Sequence, residues 1–165
     1  MAFDFLSFLF DTTFMLCQFG CVVPDFISAG LLPSGIHWSD LAEIRAKYCW
    51  NIHRERLFGG FERAVVALRV AGCRQVYLNG SFATTKEYPG DYDACWEMAG
   101  VDLSLLDPVF LDFKNLRAAQ KAKYLGEFFP ASAHPGANAA FQTFLTFFQV
   151  DKSSGSSKGI IGIKM

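Results

Sequence analysis

The feature that most constrains the fold is a pair of short extended segments that flank a turn rich in small and acidic residues. The β-like stretch Gln75–Asn79 leads directly into Gly80-Ser81, and a proline–glycine turn then leads into Asp91-Tyr92-Asp93. Because side chains alternate between the two faces of an extended strand, Asp91 and Asp93 are expected to project to the same side. The sequence therefore predicts two strands, with a Gly-Ser turn after the first and two carboxylates at the start of the second.

This arrangement favours binding of a metal and a phosphate. Two close carboxylates repel each other unless a cation lies between them, and hard ions such as Mg²⁺ take oxygen ligands while leaving room for substrate phosphates. A Gly-Ser turn can present backbone N–H groups to those phosphates. We therefore predict that Asp91 and Asp93 bind Mg²⁺ (or Mn²⁺) and that Gly80 and Ser81 bind a nucleotide. The alternative is that Asp91 is a turn residue whose carboxylate satisfies local backbone N–H groups.

The runs VYLNGSF and KEYPGDYDACW resemble the nucleotidyltransferase superfamily typified by DNA polymerase β, in its small bacterial form. From about Leu32 onward the chain is similar to a group of uncharacterised bacterial proteins with this core, through the further segments GIHWSD, LLDPVFLDF and RAAQKAKY. The resemblance implies Mg²⁺-dependent transfer of NMP from an NTP to an RNA end, a protein or a small molecule. Compact bacterial members often belong to toxin–antitoxin or phage-defence systems. Antitoxin-type members continue Gly-Ser-x-Ala-Arg-Gly, whereas this chain has Thr84 and Thr85 after Ala83, so their substrate is not carried over.

The resemblance also implies a third carboxylate on a neighbouring strand. Val109–Phe113 is predicted as a third strand, and Asp112 is the one charged residue within it. An unpaired buried carboxylate is costly and requires a cationic partner. Asp112 is therefore predicted as the third metal ligand and a catalytic residue, the alternative being an ion pair with Lys114 or Arg117.

Two lysines are candidate nucleotide-binding residues. Lys86 follows the Gly-Ser turn, and Lys121 shares one face of a predicted helix, from about Leu116 to Phe129, with Lys114 and Arg117. The alternative for both lysines is an exposed position in solvent without a ligand.

The composition indicates one folded domain without a general affinity for nucleic acid. The 165 residues include 52% hydrophobic and 19% charged residues, and the net charge is −1. An RNA partner would therefore require a local basic patch. Five cysteines without C-x-x-C spacing favour reduced thiols and a cytoplasmic location.

The predicted fold class is α/β (α+β), a small mixed sheet of three to five strands with flanking helices. Helices are predicted from a cap at Ser39 or Asp40 to about Trp50, from about Arg54 to Ala71, and from about Ala137 to Gln149. Strands are predicted near Arg74–Leu78 and Tyr92–Met98. The stretch Phe26–Ile36 is predicted as a linker, Asp151–Lys158 as a flexible loop, and Gly159–Met165 as a closing edge strand or a tail.

The N-terminal residues 1–31 are predicted as a Phe-rich arm that precedes the domain at 32–165. The arm has no basic residue, as a secretory signal would require, and aspartates interrupt it before the roughly 18 apolar residues of a membrane span. Three interpretations remain: an arm for partner binding or self-association, an extra packed element, or an upstream start. Because exposed phenylalanines favour aggregation, the arm is expected to pack on something. A catalytically inactive nucleotide- or partner-binding module of the same fold is the alternative function.

Overall fold

A five-stranded mixed sheet organises the protein. The computed structural model describes residues 23–136 and 142–165. The strands are β1 (Gly35–Ser39), β2 (Gln75–Asn79), β3 (Asp93–Trp96), β4 (Glu127–Pro130) and β5 (Gly159–Lys164), in the spatial order β1-β5-β2-β3-β4. The outer pairs β1–β5 and β3–β4 are parallel, whereas β5–β2 and β2–β3 are antiparallel. The predicted fold class, a small mixed sheet of three to five strands with flanking helices, is confirmed.

The described helices are α1 (Leu41–Tyr48), α2 (Ile52–Val70), α3 (Ala118–Tyr124) and α4 (Phe144–Phe147). The first two match the prediction, and Asp40 caps α1 by accepting a hydrogen bond from the Glu43 amide at 2.8 Å. Gly60 lets α2 approach α3 closely, because a methyl group there would lie 2.1 Å from the Tyr124 carbonyl oxygen. The start of the helix predicted from Ala137 falls at residues 137–141, outside the described residues.

The prediction was wrong for the third strand. Pro108–Leu111 forms a 3₁₀ turn in place of the strand expected at Val109–Phe113. The turn begins here because the Asp107 carboxylate accepts a hydrogen bond from the Val109 amide at 3.1 Å and the proline suits a first helical position. The strand beside β3 is instead β4, in a segment predicted as the end of a helix. Phe128 and Phe129 alternate between the two faces of the sheet, where they join separate buried clusters.

The C-terminal segment is an inner strand, not an edge strand or a tail. β5 lies between β1 and β2, and all of its residues except Lys164 are buried. β1 begins within the stretch Phe26–Ile36 that was predicted as a linker and continues past its end to Ser39. These two strands pair with each other across more than half of the chain, a long-range contact that local sequence patterns do not indicate.

Residues 23–31 pack on the domain. Val23 is fully buried, and the Lys47 ammonium donates hydrogen bonds to the carbonyl oxygens of Val23 at 2.5 Å and Pro24 at 2.9 Å. The rest of the predicted Phe-rich arm, residues 1–22, lies outside the described residues. Within the two described ranges, no helix combines the length and the apolar character needed to cross a membrane.

Candidate functional site

The Gly-Ser turn lies directly against the second aspartate. Gly80 follows β2 with a φ of +76°, which glycine adopts readily. A methyl group at Gly80 would lie 2.7 Å from both the amide nitrogen and Oδ2 of Asp93. The Ser81 hydroxyl donates a hydrogen bond to the Asp91 carbonyl at 3.3 Å. The structure therefore brings together Gly80, Ser81, Asp91 and Asp93, as the spacing predicts.

The residues around the start of β3 alternate in the expected way. Tyr92 is fully buried in the core, and its hydroxyl donates to the Tyr124 carbonyl at 2.6 Å. Asp91 and Asp93, on either side of it in the chain, are partly exposed and line two different surface depressions, Asp91 with Lys121 and Asp93 with Gly80 and Ser81. Asp91 has 38% of its side chain accessible, and Asp93 is partly buried.

Asp93 is the electrostatically unusual residue of the site. No residue in the two described ranges donates a hydrogen bond or an ion pair to its carboxylate. Burial, followed by the negative charges of Glu127 and Asp91, raises the pKa of Asp93 to about 6. Such a carboxylate gains stability from any cation that binds it.

Glu127 is a third carboxylate, which the sequence reasoning missed. It begins β4 as the parallel register partner of Asp93, and its amide donates to the Tyr92 carbonyl at 2.9 Å. Cross-strand partners project to the same face of a sheet, so these two carboxylates lie side by side. The sequence signal for this residue was its position directly after a glycine and at the start of the short run Glu-Phe-Phe-Pro.

Two cations hold the Glu127 side chain. Arg117 Nε lies 2.7 Å from Oε2, and Lys121 Nζ lies 2.5 Å from Oε1 and also 3.3 Å from Oδ2 of Asp91. Burial raises the pKa of Glu127, but the hydrogen bonds from Lys121 and Arg117 together outweigh it and hold this pKa below its ordinary value. Lys121, predicted as nucleotide-binding, therefore lies in the site and bridges two of its carboxylates.

Asp112 and Lys86 do not join this group. Asp112 lies after the 3₁₀ turn, where its carboxylate accepts a hydrogen bond from the Lys114 amide at 3.0 Å, and it lines a separate surface depression. The role predicted for Asp112 as third carboxylate depended on a strand that does not form, and Glu127 takes that position. Lys86 is exposed, and its carbonyl accepts a hydrogen bond from buried Arg54 at 2.6 Å.

A cavity of about 260 Å³ opens beside Asp93. Gly80, Ser81 and Thr84 line one part of it, and the segment from Phe147 to Lys158 lines another. This combination of a glycine turn, a partly buried carboxylate and lysine side chains can accommodate a ligand that carries both positive and negative charge.

One protein-family model matches residues 24–164, with the description "Family of unknown function (DUF6932)". The chain belongs to this family. No curated protein and no solved structure matches it. The matched range includes all five strands and every residue of the site, so the DUF6932 domain contains the complete candidate site.

In this DUF6932 chain, Arg54 is hydrogen-bonded to the segment that follows the Gly-Ser turn, a role that was not predicted from the sequence. Its side chain is fully buried and donates hydrogen bonds to the carbonyl oxygens of Tyr48, Phe82 and Lys86. Two of these acceptors lie in the segment that follows Ser81. Burial lowers the pKa of Arg54 to about 10, which still leaves the guanidinium charged at neutral pH.

The donor set fits a hard divalent cation. Asp91, Asp93 and Glu127 supply carboxylate oxygens only, the ligands that Mg²⁺ and Mn²⁺ prefer. In residues 23–136 and 142–165 no three potential ligand side chains are already gathered around one point. In this arrangement Lys121 and Arg117 hold the Glu127 carboxylate, and Lys121 also holds Asp91.

Proposed function

We propose that the protein is a Mg²⁺-dependent nucleotidyltransferase that transfers NMP from an NTP to an acceptor. The observation that carries this proposal is Asp93, a partly buried carboxylate that has no donor among the described residues and lies beside two further carboxylates and a Gly-Ser turn. Such a cluster of negative charge disfavours its own ionisation unless a cation binds. The resemblance of the Gly-Ser and Asp-x-Asp segments to polymerase-β-like enzymes supports the same reaction.

Each residue has a role that follows from its position. Asp91, Asp93 and Glu127 would hold the metal, which when bound neutralises phosphate charge and stabilises the leaving group. Gly80 lets the turn pass close to Asp93, and Ser81 offers its amide and hydroxyl to a phosphate. Lys121 neutralises Asp91 and Glu127 while no other cation is bound, and its hydrogen bonds to Glu127 and Asp91 raise its pKa, so it stays charged.

The biological setting is proposed from the same resemblance. The acceptor is an RNA end, a protein or a small molecule, and a toxin–antitoxin or phage-defence system is the proposed context. A cytoplasmic location is supported by Cys49, Cys73 and Cys95, which are all free thiols.

A nucleotide-binding module without transfer activity is the second candidate. It is favoured by the ion pairs of Glu127, because Arg117 and Lys121 neutralise the carboxylate that would complete the metal site. Both candidates require Mg²⁺-dependent binding of a nucleotide. They differ only in whether NMP becomes covalently attached to an acceptor.

The test combines binding and transfer on the same set of variants. Thermal unfolding is measured with each NTP, with and without Mg²⁺, for the wild type and for Asp91→Asn/Asp93→Asn, Glu127→Gln and Asp112→Asn. Ligand at 100 times its Kd stabilises the native state by about 2.7 kcal/mol. We expect a Mg²⁺-dependent rise in Tm with at least one NTP, retained in Asp112→Asn and lost in the other two variants.

Transfer is then assayed with the α-³²P-labelled form of that NTP, using total RNA and cell protein as acceptors. Label that becomes covalently attached only with the wild type and Asp112→Asn supports the enzyme. Binding without transfer supports the nucleotide-binding module. If no NTP raises the Tm of the wild type in Mg²⁺, both candidates are wrong.

A further inference from the structure

The cavity beside Asp93 contains a second set of charges, from the segment between α4 and β5. Lys152 and Lys158 both line the cavity. The two lysines therefore face the same space as the Gly-Ser turn and Asp93.

Lys158 has no anionic partner in the described part of the chain. It is partly buried, and no carboxylate oxygen in residues 23–136 and 142–165 lies within 4 Å of its ammonium group. Burial lowers the pKa of Lys158, and the more distant charges of Asp151 and Asp93 do not offset this effect. A partly buried cation without a partner is costly and is stabilised by an incoming anion.

The segment that carries these lysines is held in place. The Asp151 amide donates to the Ser156 carbonyl at 2.8 Å, and the Asp151 carboxylate accepts from the Ser154 amide at 2.9 Å. At the sheet, the buried Asn79 side chain donates a hydrogen bond to the Phe148 carbonyl. Since Asn79 directly precedes Gly80, the lysine segment is tied to the Gly-Ser turn itself.

The opposite charges define the ligand. A free anion near Lys158 is repelled by Asp93, and a free divalent cation near Asp93 is repelled by Lys158. A chain of phosphates that carries a divalent cation satisfies both ends, with its oxygens toward the lysines and its cation toward the carboxylate. Lysine binds phosphate as a flexible point charge without requiring a fixed geometry.

We propose that Lys158, assisted by Lys152, binds the polyphosphate chain of the nucleotide. This inference rests on the proposed function, and it assigns the phosphate contacts to a segment far along the chain from both Lys86 and Lys121. Lys158 provides the main contact because it is partly buried and has no anionic partner among residues 23–136 and 142–165. Lys152 is exposed and lies over the Phe147 ring at 5.4 Å, so it contributes less.

The test compares ligands that differ in phosphate number. Binding of tripolyphosphate, ATP, ADP and AMP is measured by calorimetry in Mg²⁺ for the wild type, Lys158→Met, Lys158→Arg, Lys152→Met and Lys164→Met. Lys164 is the matched control, since it lies at the opposite end of β5. We expect Lys158→Met to weaken ATP and tripolyphosphate binding at least tenfold while changing AMP binding less than twofold. We expect about threefold weakening of ATP binding for Lys152→Met, substantial recovery for Lys158→Arg and wild-type values for Lys164→Met.

The outcomes separate this inference from the proposed function. If Lys158→Met binds ATP as the wild type does, while Asp91→Asn/Asp93→Asn does not, the metal site stands and the assignment of Lys158 is wrong. If the wild type and Asp91→Asn/Asp93→Asn both bind tripolyphosphate without Mg²⁺ and Lys158→Met does not, the lysine site stands and the nucleotidyltransferase is wrong. If the wild type binds none of the four ligands, both are wrong. Tm without ligand checks folding, and Lys158→Met is expected to be at least as stable as the wild type because it removes a partly buried charge.

Discussion

Replacing Asp93 with asparagine should stabilise the protein at neutral pH, although it removes a proposed metal ligand. The folded state raises the pKa of this carboxyl from 3.8 to about 6, mainly through burial. At 1.36 kcal/mol for each pKa unit, keeping Asp93 ionised in the folded protein costs about 3 kcal/mol. Asparagine has nearly the same shape and carries no charge, so Asp93→Asn should recover most of this free energy.

The pH dependence follows from the direction of the shift. Below about pH 4 the carboxyl is protonated in both the folded and the unfolded state, so wild type and Asp93→Asn should be equally stable. As pH rises from about 4 to 6, the unfolded state loses its proton first, and the wild type loses stability relative to the variant. Above about pH 7 the difference should be constant. For a chain of this size, about 3 kcal/mol corresponds to a Tm difference of roughly 6–12 °C.

The assay is thermal unfolding in EDTA between pH 4.5 and 8, followed by circular dichroism. Asp91→Asn is the matched control: Asp91 is 38% exposed and paired with Lys121, so removing its charge should leave most of the pH dependence in place. Parallel curves for the wild type and Asp93→Asn over the whole range would show that Asp93 is not desolvated, and the electrostatic argument for a cation site would be lost.

Four further substitutions test how the site is supported, all by chemical or thermal unfolding. Arg54→Met should lower the free energy of unfolding by at least about 3 kcal/mol, because three carbonyl oxygens lose a charged donor; no loss would contradict the contacts of the buried guanidinium. Gly60→Ala should destabilise the protein by about 1–3 kcal/mol, because the added methyl group clashes with the Tyr124 carbonyl. Gly59→Ala should stabilise it by up to about 1 kcal/mol, because there is space for a methyl group at that position. The opposite order would contradict the α2–α3 packing. Leu116→Gly should stabilise by up to about 1 kcal/mol, because Leu116 is 78% exposed and has a φ of +54°; a loss of stability would contradict that backbone conformation.

The local parts of the site could be predicted from the sequence. Gly80-Ser81 and Asp91-Tyr92-Asp93 are each defined by neighbouring residues, since a turn glycine and a strand alternation need no distant partner. The Asp40 cap and the positive φ of Gly72 at the end of α2 follow from equally local chemistry.

The third carboxylate could not be predicted in the same way. Asp112 is an isolated charge among apolar residues, a pattern typical of a strand, but Asp107 and Pro108 start a 3₁₀ turn that excludes one. Apart from Gly126, Glu127 follows a run of good helix formers, so this segment was predicted as the continuation of a helix. What makes it a strand residue is its pairing with Asp93, more than thirty positions earlier in the chain, and local patterns contain no information about that pairing.

Direct measurement of Mn²⁺ binding tests the central claim most simply. Free Mn²⁺ gives a strong electron paramagnetic resonance signal that is lost when the ion binds, so bound metal can be counted without an acceptor or a known NTP. The wild type and Asp112→Asn should bind Mn²⁺ with the same affinity, whereas Asp93→Asn and Glu127→Gln should each bind it at least tenfold more weakly. Loss of binding in Asp112→Asn but not in Glu127→Gln, or equal binding by all four proteins, would contradict a metal site built from Asp91, Asp93 and Glu127.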